Sequence, residues 1–139
     1  MDVKLILICV LIIFIFYTLN KNSYLLQIEQ SLQDPYIQKI RENFKKINPK
    51  FGNVPIVLST RESYTENKEY IAMCVIDPKT GMYYDFNIVM YVALHELAHY
   101  ITRSHGHNQE FLRNFRMLLS EAQKKGVYRP IEPPETYCE

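Results

Sequence analysis

The first pattern along the chain is an unbroken apolar run near the N-terminus. Residues 5–19 read LILICVLIIFIFYTL, without a charge or a helix breaker. A helix over this run spans about 22 Å, and snorkelling of Lys4 lengthens it towards the roughly 30 Å of a hydrocarbon core. A signal peptide would need a small-residue cleavage site next, and Tyr17–Lys21 is a poor one. We therefore expect an uncleaved single-pass anchor over residues 1–21, with an orientation that the flanking charges leave open.

Two later stretches have the period of an amphipathic helix. After a polar, helix-permissive stalk from residue 22, Asp34-Pro35 is typical of an N-cap followed by proline at the first helical position. One apolar face then extends to Asn48-Pro49. It consists of Ile37, Ile40, Phe44 and Ile47. A second stripe precedes Gly126, a suitable C-terminal glycine. It consists of Phe111, Phe115, Leu118, Leu119 and Ala122.

Strand patterns occupy the middle of the chain. Residues 54–60 predict a first strand, which Pro55 confines to an edge, and the polar residues 61–68 predict a loop. Residues 70–76 and 82–86 flank the turn Asp77–Gly81 and predict a hairpin. We expect a small antiparallel sheet that could hold an extended peptide by backbone pairing.

The last long apolar run starts at Asn87, a residue type that often caps a helix N-terminus. Its histidines, His95 and His99, are four residues apart and share one helical face. The opposite face collects Met90, Leu94, Leu97 and Ile101. The pattern predicts a mostly buried helix that presents both imidazoles to a cleft.

Composition narrows the class of protein. The chain has 139 residues, of which 47% are hydrophobic and 22% charged, with a net charge of +1. This suits one globular domain beyond the anchor, and it lacks the basic excess expected for nucleic-acid binding. We divide the chain into an anchor (1–21), a stalk with an amphipathic helix (22–50) and a main domain (51–139). Cys74 and Cys138 could pair in an oxidising compartment or remain free thiols.

The pattern His-Glu-x-x-His at residues 95–99 carries specific chemistry. Two imidazoles one helical turn apart can hold one Zn²⁺, and Glu96 then lies beside the metal as a general base. Such a site hydrolyses peptide bonds with a zinc-activated water. Two histidines packed in a core are the simpler alternative. The capped apolar helix and the further histidines favour the metal.

A catalytic zinc usually has three protein ligands, so a third donor is needed. His105, His107 and Glu121 follow His99 by 6, 8 and 22 residues, and spacing alone leaves all three open. A stabiliser for the oxyanion is also open. His105, Tyr128 and Tyr137 are candidates, although packing or exposure explains each more simply.

The residues HELAH (95–99) and GHNQEF (106–111) together resemble the WLM and SprT-like zinc metallopeptidases. They are similar above all to small proteins of this type from large DNA viruses, which share a Lys-Thr-Gly turn and a Pro-x-x-Tyr-Cys tail, here Pro134–Cys138. The likeness covers about residues 51–138. It implies a minimal zincin-like α+β domain with the sheet packed on the HExxH helix, and it makes His107 the third ligand, with His105 as the alternative.

The chain also departs from these families. Its histidine spacing is longer than is usual in WLM proteins and shorter than in most SprT-like proteins. It has no counterpart of the DNA-binding extensions, and an anchor over residues 5–19 is unlike nuclear repair proteases. We therefore expect a membrane-anchored zinc metallopeptidase that acts on a protein or peptide. The alternative is a non-catalytic anchored protein, with a structural or interaction role, whose fold zinc stabilises.

Overall fold

The computed structural model describes residues 2–133, 135 and 137, and within them the fold is α+β. The described part contains four α-helices and a sheet of three strands. They are α1 (Val3–Gln33), α2 (Pro35–Ile47), β1 (Ile56–Leu58), β2 (Tyr64–Glu66), β3 (Tyr70–Met73), α3 (Phe86–Ile101) and α4 (Gln109–Lys124). A short 3-10 helix, Pro49–Asn53, links α2 to β1.

Helix α1 joins the predicted anchor and the predicted stalk into one 31-residue helix. The side chains of its N-terminal apolar part are exposed. By length and composition α1 can span a membrane, a property that a signal sequence near the N-terminus would share.

The C-terminal end of α1 belongs to the folded domain. Ser31 is buried, and its hydroxyl oxygen accepts a hydrogen bond from the backbone N–H of Leu58 in β1, at 2.8 Å. The amide of Gln27 donates to the carbonyl of the same residue at 2.9 Å. These bonds attach the predicted stalk directly to the sheet.

Helix α2 has the predicted limits. The carboxylate of Asp34 accepts hydrogen bonds from the N–H groups of Tyr36 and Ile37, at 2.8 and 3.0 Å. Such bonds satisfy donors that a helix N-terminus leaves unpaired. The predicted apolar face contributes fully buried side chains to the core that the rest of the domain shares, namely Ile37, Ile40 and Phe44.

The sheet is mixed, so the predicted antiparallel sheet is wrong for β1. Strand β3 lies in the middle, with β1 parallel to it on one side and β2 antiparallel on the other. The difference arises at residues 64–66, which were predicted to form a loop because they are polar. They form β2, and because β2 pairs with β3 through a tight turn at Asn67 and Lys68, β1 pairs with the opposite edge of β3.

The predicted hairpin after residue 70 is shorter than expected. Strand β3 ends at Met73, and beyond it Ile76 and Tyr83 form an isolated antiparallel bridge. The turn between them is present. The N–H of Asp77 donates to the carbonyl of Met82 at 2.8 Å, and Gly81 has the positive φ of +71° that the turn requires.

Helix α3 starts one residue before Asn87, and the predicted cap at Asn87 is wrong. Asp85 is the N-cap, and its carboxylate accepts from the N–H groups of Asn87 and Ile88 at 2.9 and 3.3 Å. The Asn87 side chain instead pairs with the backbone of Arg129 in the C-terminal segment, through bonds of 2.8 and 2.9 Å. This asparagine therefore holds the tail against α3.

Helix α3 lies at the centre of the core, as the sequence predicted. Its buried apolar side chains are Val89, Met90, Ala93, Leu94, Leu97 and Ala98. Helix α4 packs on it through Phe111, Leu118 and Ala122 and ends before Gly126, whose φ is +68°. Cys74 is buried and disulfide-bonded. Cys138, its suggested partner, lies outside the described residues, as do Pro134 and Thr136 of the tail motif.

Two neighbouring residues of α4 that differ in burial test how this helix packs on the core. Leu118 is fully buried, whereas Met117 is 45% exposed. Leu118→Ala should lower the free energy of unfolding by about 2–5 kcal/mol because it leaves a cavity. Met117→Ala should change it by less than about 1 kcal/mol. Urea unfolding of the full chain in detergent, followed by circular dichroism, measures both. Equal losses would contradict the packing of α4.

Candidate metal centre

Helix α3 presents His95 and His99 to the surface while its other face is buried in the core. The two residues are one helical turn apart, and their ring centroids are 4.9 Å from each other. Because α3 is buried along most of its length, it gives both imidazoles a rigid base. Their Nε2 atoms are 3.2 Å apart.

The third imidazole comes from the connection between α3 and α4. Gly106 has a φ of +83°, a left-handed conformation that favours glycine. His107 follows, and the side chain of Asn108 caps α4 by accepting from the N–H of Phe111 at 3.0 Å. This turn directs His107 back towards α3. Its Nε2 lies 3.0 Å from that of His99 and 3.2 Å from that of His95.

Hydrogen bonding cannot satisfy this triangle of nitrogen atoms. Each Nε2 has one position in the ring plane, which carries either a proton or a lone pair. Three such positions can form at most one good hydrogen bond among the three pairs. A single cation within the triangle would instead accept all three lone pairs.

The spacing fits a small metal ion. Four ligands placed tetrahedrally at about 2.0–2.1 Å from zinc are separated from one another by about 3.3–3.4 Å. The separations of 3.0–3.2 Å between the Nε2 atoms are close to this value. Imidazole nitrogen suits zinc, copper, nickel and iron. The donor set therefore fits one metal ion with three protein ligands.

An aromatic side chain supports all three rings from below. Phe111, which is 2% exposed, stacks on His99 with a centroid distance of 4.3 Å, and it lies 5.0 Å from His95 and 4.7 Å from His107. Phe115 adds an edge contact to His95 at 5.2 Å. These contacts restrict the rotation of the imidazoles and exclude water from beneath them.

Burial also favours the neutral form of two of the imidazoles. It is the main cause that lowers the pKa of His95 to about 4, with smaller effects from His99 and His107. Burial likewise lowers the pKa of His99, followed by the effects of His107 and Lys68. The neutral imidazole is the form that binds metals.

Glu96 is a buried carboxylate beside this triangle. It is 7% exposed, and the Thr65 hydroxyl lies 2.8 Å from both its Oε2 atom and its backbone oxygen. Since a hydroxyl has a single proton, Thr65 shares it between these two acceptors. Burial raises the pKa of the Glu96 carboxyl, and the hydrogen bond from Thr65 partly offsets this rise.

Lys68, in the turn between β2 and β3, binds the C-terminal end of α3. The ammonium group of Lys68 donates to the carbonyls of His99, Thr102 and Ser104, with distances of 2.8 Å to the first and 3.3 Å to the last. A cation at this end of a helix interacts favourably with its unpaired carbonyls. Lys68 thereby holds the start of the segment that leads to His107.

These groups share one open cleft of about 350 Å³. Its lining consists of Ser63, Tyr64, Thr65, Asn67, Lys68, His95, Glu96, His99, His105 and His107. His105 thus lines the cleft, but the group of side chains among the described residues that could hold a metal ion contains only His95, His99 and His107.

The other candidate residues have different partners. Glu121 lies on the exposed side of α4, where its carboxylate pairs with Lys124 at 2.8 Å. The Tyr137 hydroxyl donates to the carbonyl of Cys74, and the Tyr128 hydroxyl accepts from the N–H of Ile131 at 3.3 Å. Neither tyrosine lines the cleft. Of the candidates for stabilising an oxyanion, His105 alone borders it.

The sequence did not reveal two residues of this site. Thr65 and Lys68 lie in a polar segment that was predicted as a loop, and neither belongs to a motif. Their roles depend on the pairing of β2 with β3, which brings the turn to the end of α3. Only the polarity of residues 61–68 was visible, and it does not distinguish a loop from an edge strand.

The two histidines of the connecting loop give a matched test. His107→Ala should weaken zinc binding by more than about 100-fold, because loss of a ligand exceeds the 10–100-fold effect of losing an outer partner. His105→Ala should bind zinc almost as wild type. Competition with a chromophoric chelator measures both affinities. The reverse order would exchange the assignments of His105 and His107.

Lys68 can be tested through the fold and the metal together. Lys68→Met should lower the free energy of unfolding by about 1–2 kcal/mol and weaken zinc binding, because the end of α3 loses its cation. Lys68→Arg should retain most of both properties. Lys79→Met, on an exposed turn, is the matched control and should alter neither. Identical behaviour of the Lys68→Met and Lys79→Met proteins would contradict this role.

No family model and no solved structure matches the chain. Three viral proteins are similar to it in sequence. "Uncharacterized protein 042R" of Invertebrate iridescent virus 3 is 43% identical over 89 residues, 63% of this chain and 55% of that protein. "Uncharacterized protein 136R" of Invertebrate iridescent virus 6 is 40% identical over 80 residues, 55% of this chain and 45% of that protein.

The third is "Uncharacterized protein R325" of Acanthamoeba polyphaga mimivirus. It is 35% identical over 107 residues, which are 75% of this chain and 53% of that protein. The chain therefore spans about half the length of the curated relatives it matches. Their names state no activity, and the resemblance to WLM and SprT-like metallopeptidases stays a prediction from the motifs.

Proposed function

We propose that the protein is a zinc metallopeptidase with a zincin-like domain, related to the WLM and SprT-like families and anchored in a membrane by α1. One observation carries the proposal. Three imidazole nitrogens meet within 3.2 Å of one another, beside the buried carboxylate of Glu96, in a cleft open to solvent.

His95, His99 and His107 would hold the zinc. Three histidine ligands are typical of catalytic zinc, which keeps its fourth position for water or substrate, whereas structural zinc sites are closed by four protein ligands. Bound zinc supplies a Lewis acid that activates water and polarises the scissile carbonyl. His107 is exposed, so an extended chain can reach the metal position from solvent.

Glu96 moves the proton in the reaction. As general base its carboxylate takes a proton from the attacking water, and as general acid it returns this proton to the leaving amine. The hydrogen bond from Thr65 fixes the direction of the carboxylate. Catalysis requires the Glu96 carboxylate to be held in its reactive geometry. Here its position on α3 and the Thr65 hydroxyl hold it.

The edge strand β2 offers a place for the substrate backbone. Within the described residues it pairs with β3 alone, which leaves its other side without a strand. Tyr64 and Thr65 of β2 line the cleft. An extended peptide that pairs with this edge would pass beside the imidazoles. The substrate class is therefore a protein segment in extended conformation.

A zinc-stabilised protein without activity is the competing proposal. It accounts for the three ligands but gives no role to a carboxylate held beside them. Four protein ligands would favour it, and the group among the described residues that could hold a metal ion has three members. The position of Glu96 therefore favours the peptidase.

Replacing the general base separates the two functions. Glu96→Gln should keep the zinc content of wild type, because Glu96 is not a ligand, and should slow peptide hydrolysis by about 10²–10⁴-fold. Glu121→Gln is the matched control, since this exposed residue lies away from the cleft. Zinc content by mass spectrometry and cleavage of unfolded casein by the full chain in detergent are the measurements.

A chelator treatment completes this test. Removal of zinc should abolish cleavage by wild type, and stoichiometric zinc should restore it. Equal inactivity of the wild-type and Glu96→Gln proteins, both fully loaded with zinc, would instead favour the non-catalytic proposal.

A further inference from the structure

No flexible linker separates the apolar part of α1 from the folded domain. From Val3 to Gln33 the helix contains neither glycine nor proline, the residues most often found at sharp kinks. Asp34 alone lies between its end and the start of α2, and it is a cap of both helices. A displacement of the apolar segment is therefore transmitted to the domain through continuous helix.

Two attachments fix the direction of α1 relative to the cleft. Gln27 and Ser31 bind the backbone of Leu58 in β1 at 2.9 and 2.8 Å. At the end of the helix, the carboxylate of Asp34 accepts a hydrogen bond from the Tyr83 hydroxyl at 2.8 Å. Because these contacts lie on successive turns, the helix cannot pivot about one of them without breaking the other.

A groove connects this part of α1 with a residue of the cleft. Its lining includes Tyr24 and Gln27 of α1 and Tyr64 of β2. Tyr64 also lines the cleft that contains the three imidazoles. Along the helix, Gln27 is only about 12 Å beyond Leu19, the last residue of the apolar run. The groove is thus at a level about 12 Å beyond the end of that run, measured along the helix.

Side chains on this part of α1 also suit a membrane surface. Beyond the polar residues 20–23, Tyr24, Leu25 and Leu26 are 59%, 52% and 55% exposed. Tyr17 and Lys21, on the preceding turns, are exposed as well. Tyrosine and lysine are common where a spanning helix meets the headgroups, and apolar side chains are stabilised there. With α1 inserted in a membrane, the domain would lie close to the bilayer.

We propose that α1 acts as a rigid spacer, and that the substrate is the juxtamembrane segment of another protein anchored in the same membrane. An extended chain advances about 3.3–3.6 Å per residue, so a scissile bond at the level of Gln27 would lie about three to four residues from the bilayer. This inference rests on the proposed peptidase activity and on insertion of α1.

The test uses the full chain and substrates in phosphatidylcholine vesicles. Each substrate carries a transmembrane segment, a spacer and one sequence that wild type cleaves in soluble casein. Spacers of 3, 6, 12 and 18 prolines advance about 3.1 Å per residue and remain stiff. Tethered cleavage is fastest when the tether matches the distance to be spanned. Cleavage should therefore fall about tenfold from the best short spacer to the longest.

Two insertions between Asn22 and Ser23 show whether the helix sets this distance. Seven helix-forming residues lengthen α1 by about 10 Å and turn the domain by only about 20°. The best spacer should then lengthen by about three prolines. Seven Gly/Ser residues at the same place should remove the dependence on spacer length. Both variants should cleave the soluble form of the peptide in detergent as wild type does.

The possible results are distinct. The proposal is supported if the helical insertion shifts the best spacer length and the flexible insertion makes cleavage independent of spacer length. Equal cleavage of all spacers by wild type, with the soluble peptide also cleaved, overturns it and leaves the peptidase intact. Failure of wild type to cleave even the soluble peptide overturns both, and flotation of the vesicles without the protein overturns the membrane anchorage.

Discussion

The function proposed for this domain depends on three imidazole nitrogens that lie close together. Each of them has a single position for a proton or a metal. Two of them are provided by one buried helix, and the third arrives through a short loop. Around them the structure supplies a support, in the ring of Phe111, and a restraint, in the cation of Lys68. Apolar packing thus holds these polar groups close together, although removing them from water costs free energy.

Local rules predicted the ends of two helices correctly, although they misplaced the cap of α3. Helix α2 begins at Asp34-Pro35 and α4 ends before Gly126, because a cap, a proline and a glycine act on their nearest neighbours. The sheet was predicted less well. Residues 64–66 are polar, and they form a strand only because β3 is there to pair with them. Parallel pairing of β1 likewise depends on contacts distant in sequence.

The same distinction applies to the site. His95, Glu96 and His99 come together through the pitch of one helix, which the sequence shows directly. Spacing alone permits either His105 or His107, and the resemblance favoured His107. The backbone of Gly106 and the cap at Asn108 bring His107 to the other two imidazoles, which the spacing does not show. Thr65 and Lys68 belong to a different element. No motif could reveal them, because their positions follow from the order of the strands.

The turn at Asn67 and Lys68 has a consequence for folding. Both residues have positive φ, at 44° and 58°. Asparagine tolerates this region, but for Lys68 it costs about 1–2 kcal/mol, which glycine would avoid. Glycine, however, could not reach the carbonyls at the end of α3. The isolated β2–β3 hairpin therefore bears the cost at Lys68 without compensation. This cost is offset when α3 offers those carbonyls, so the hairpin and the helix should fold as one cooperative unit.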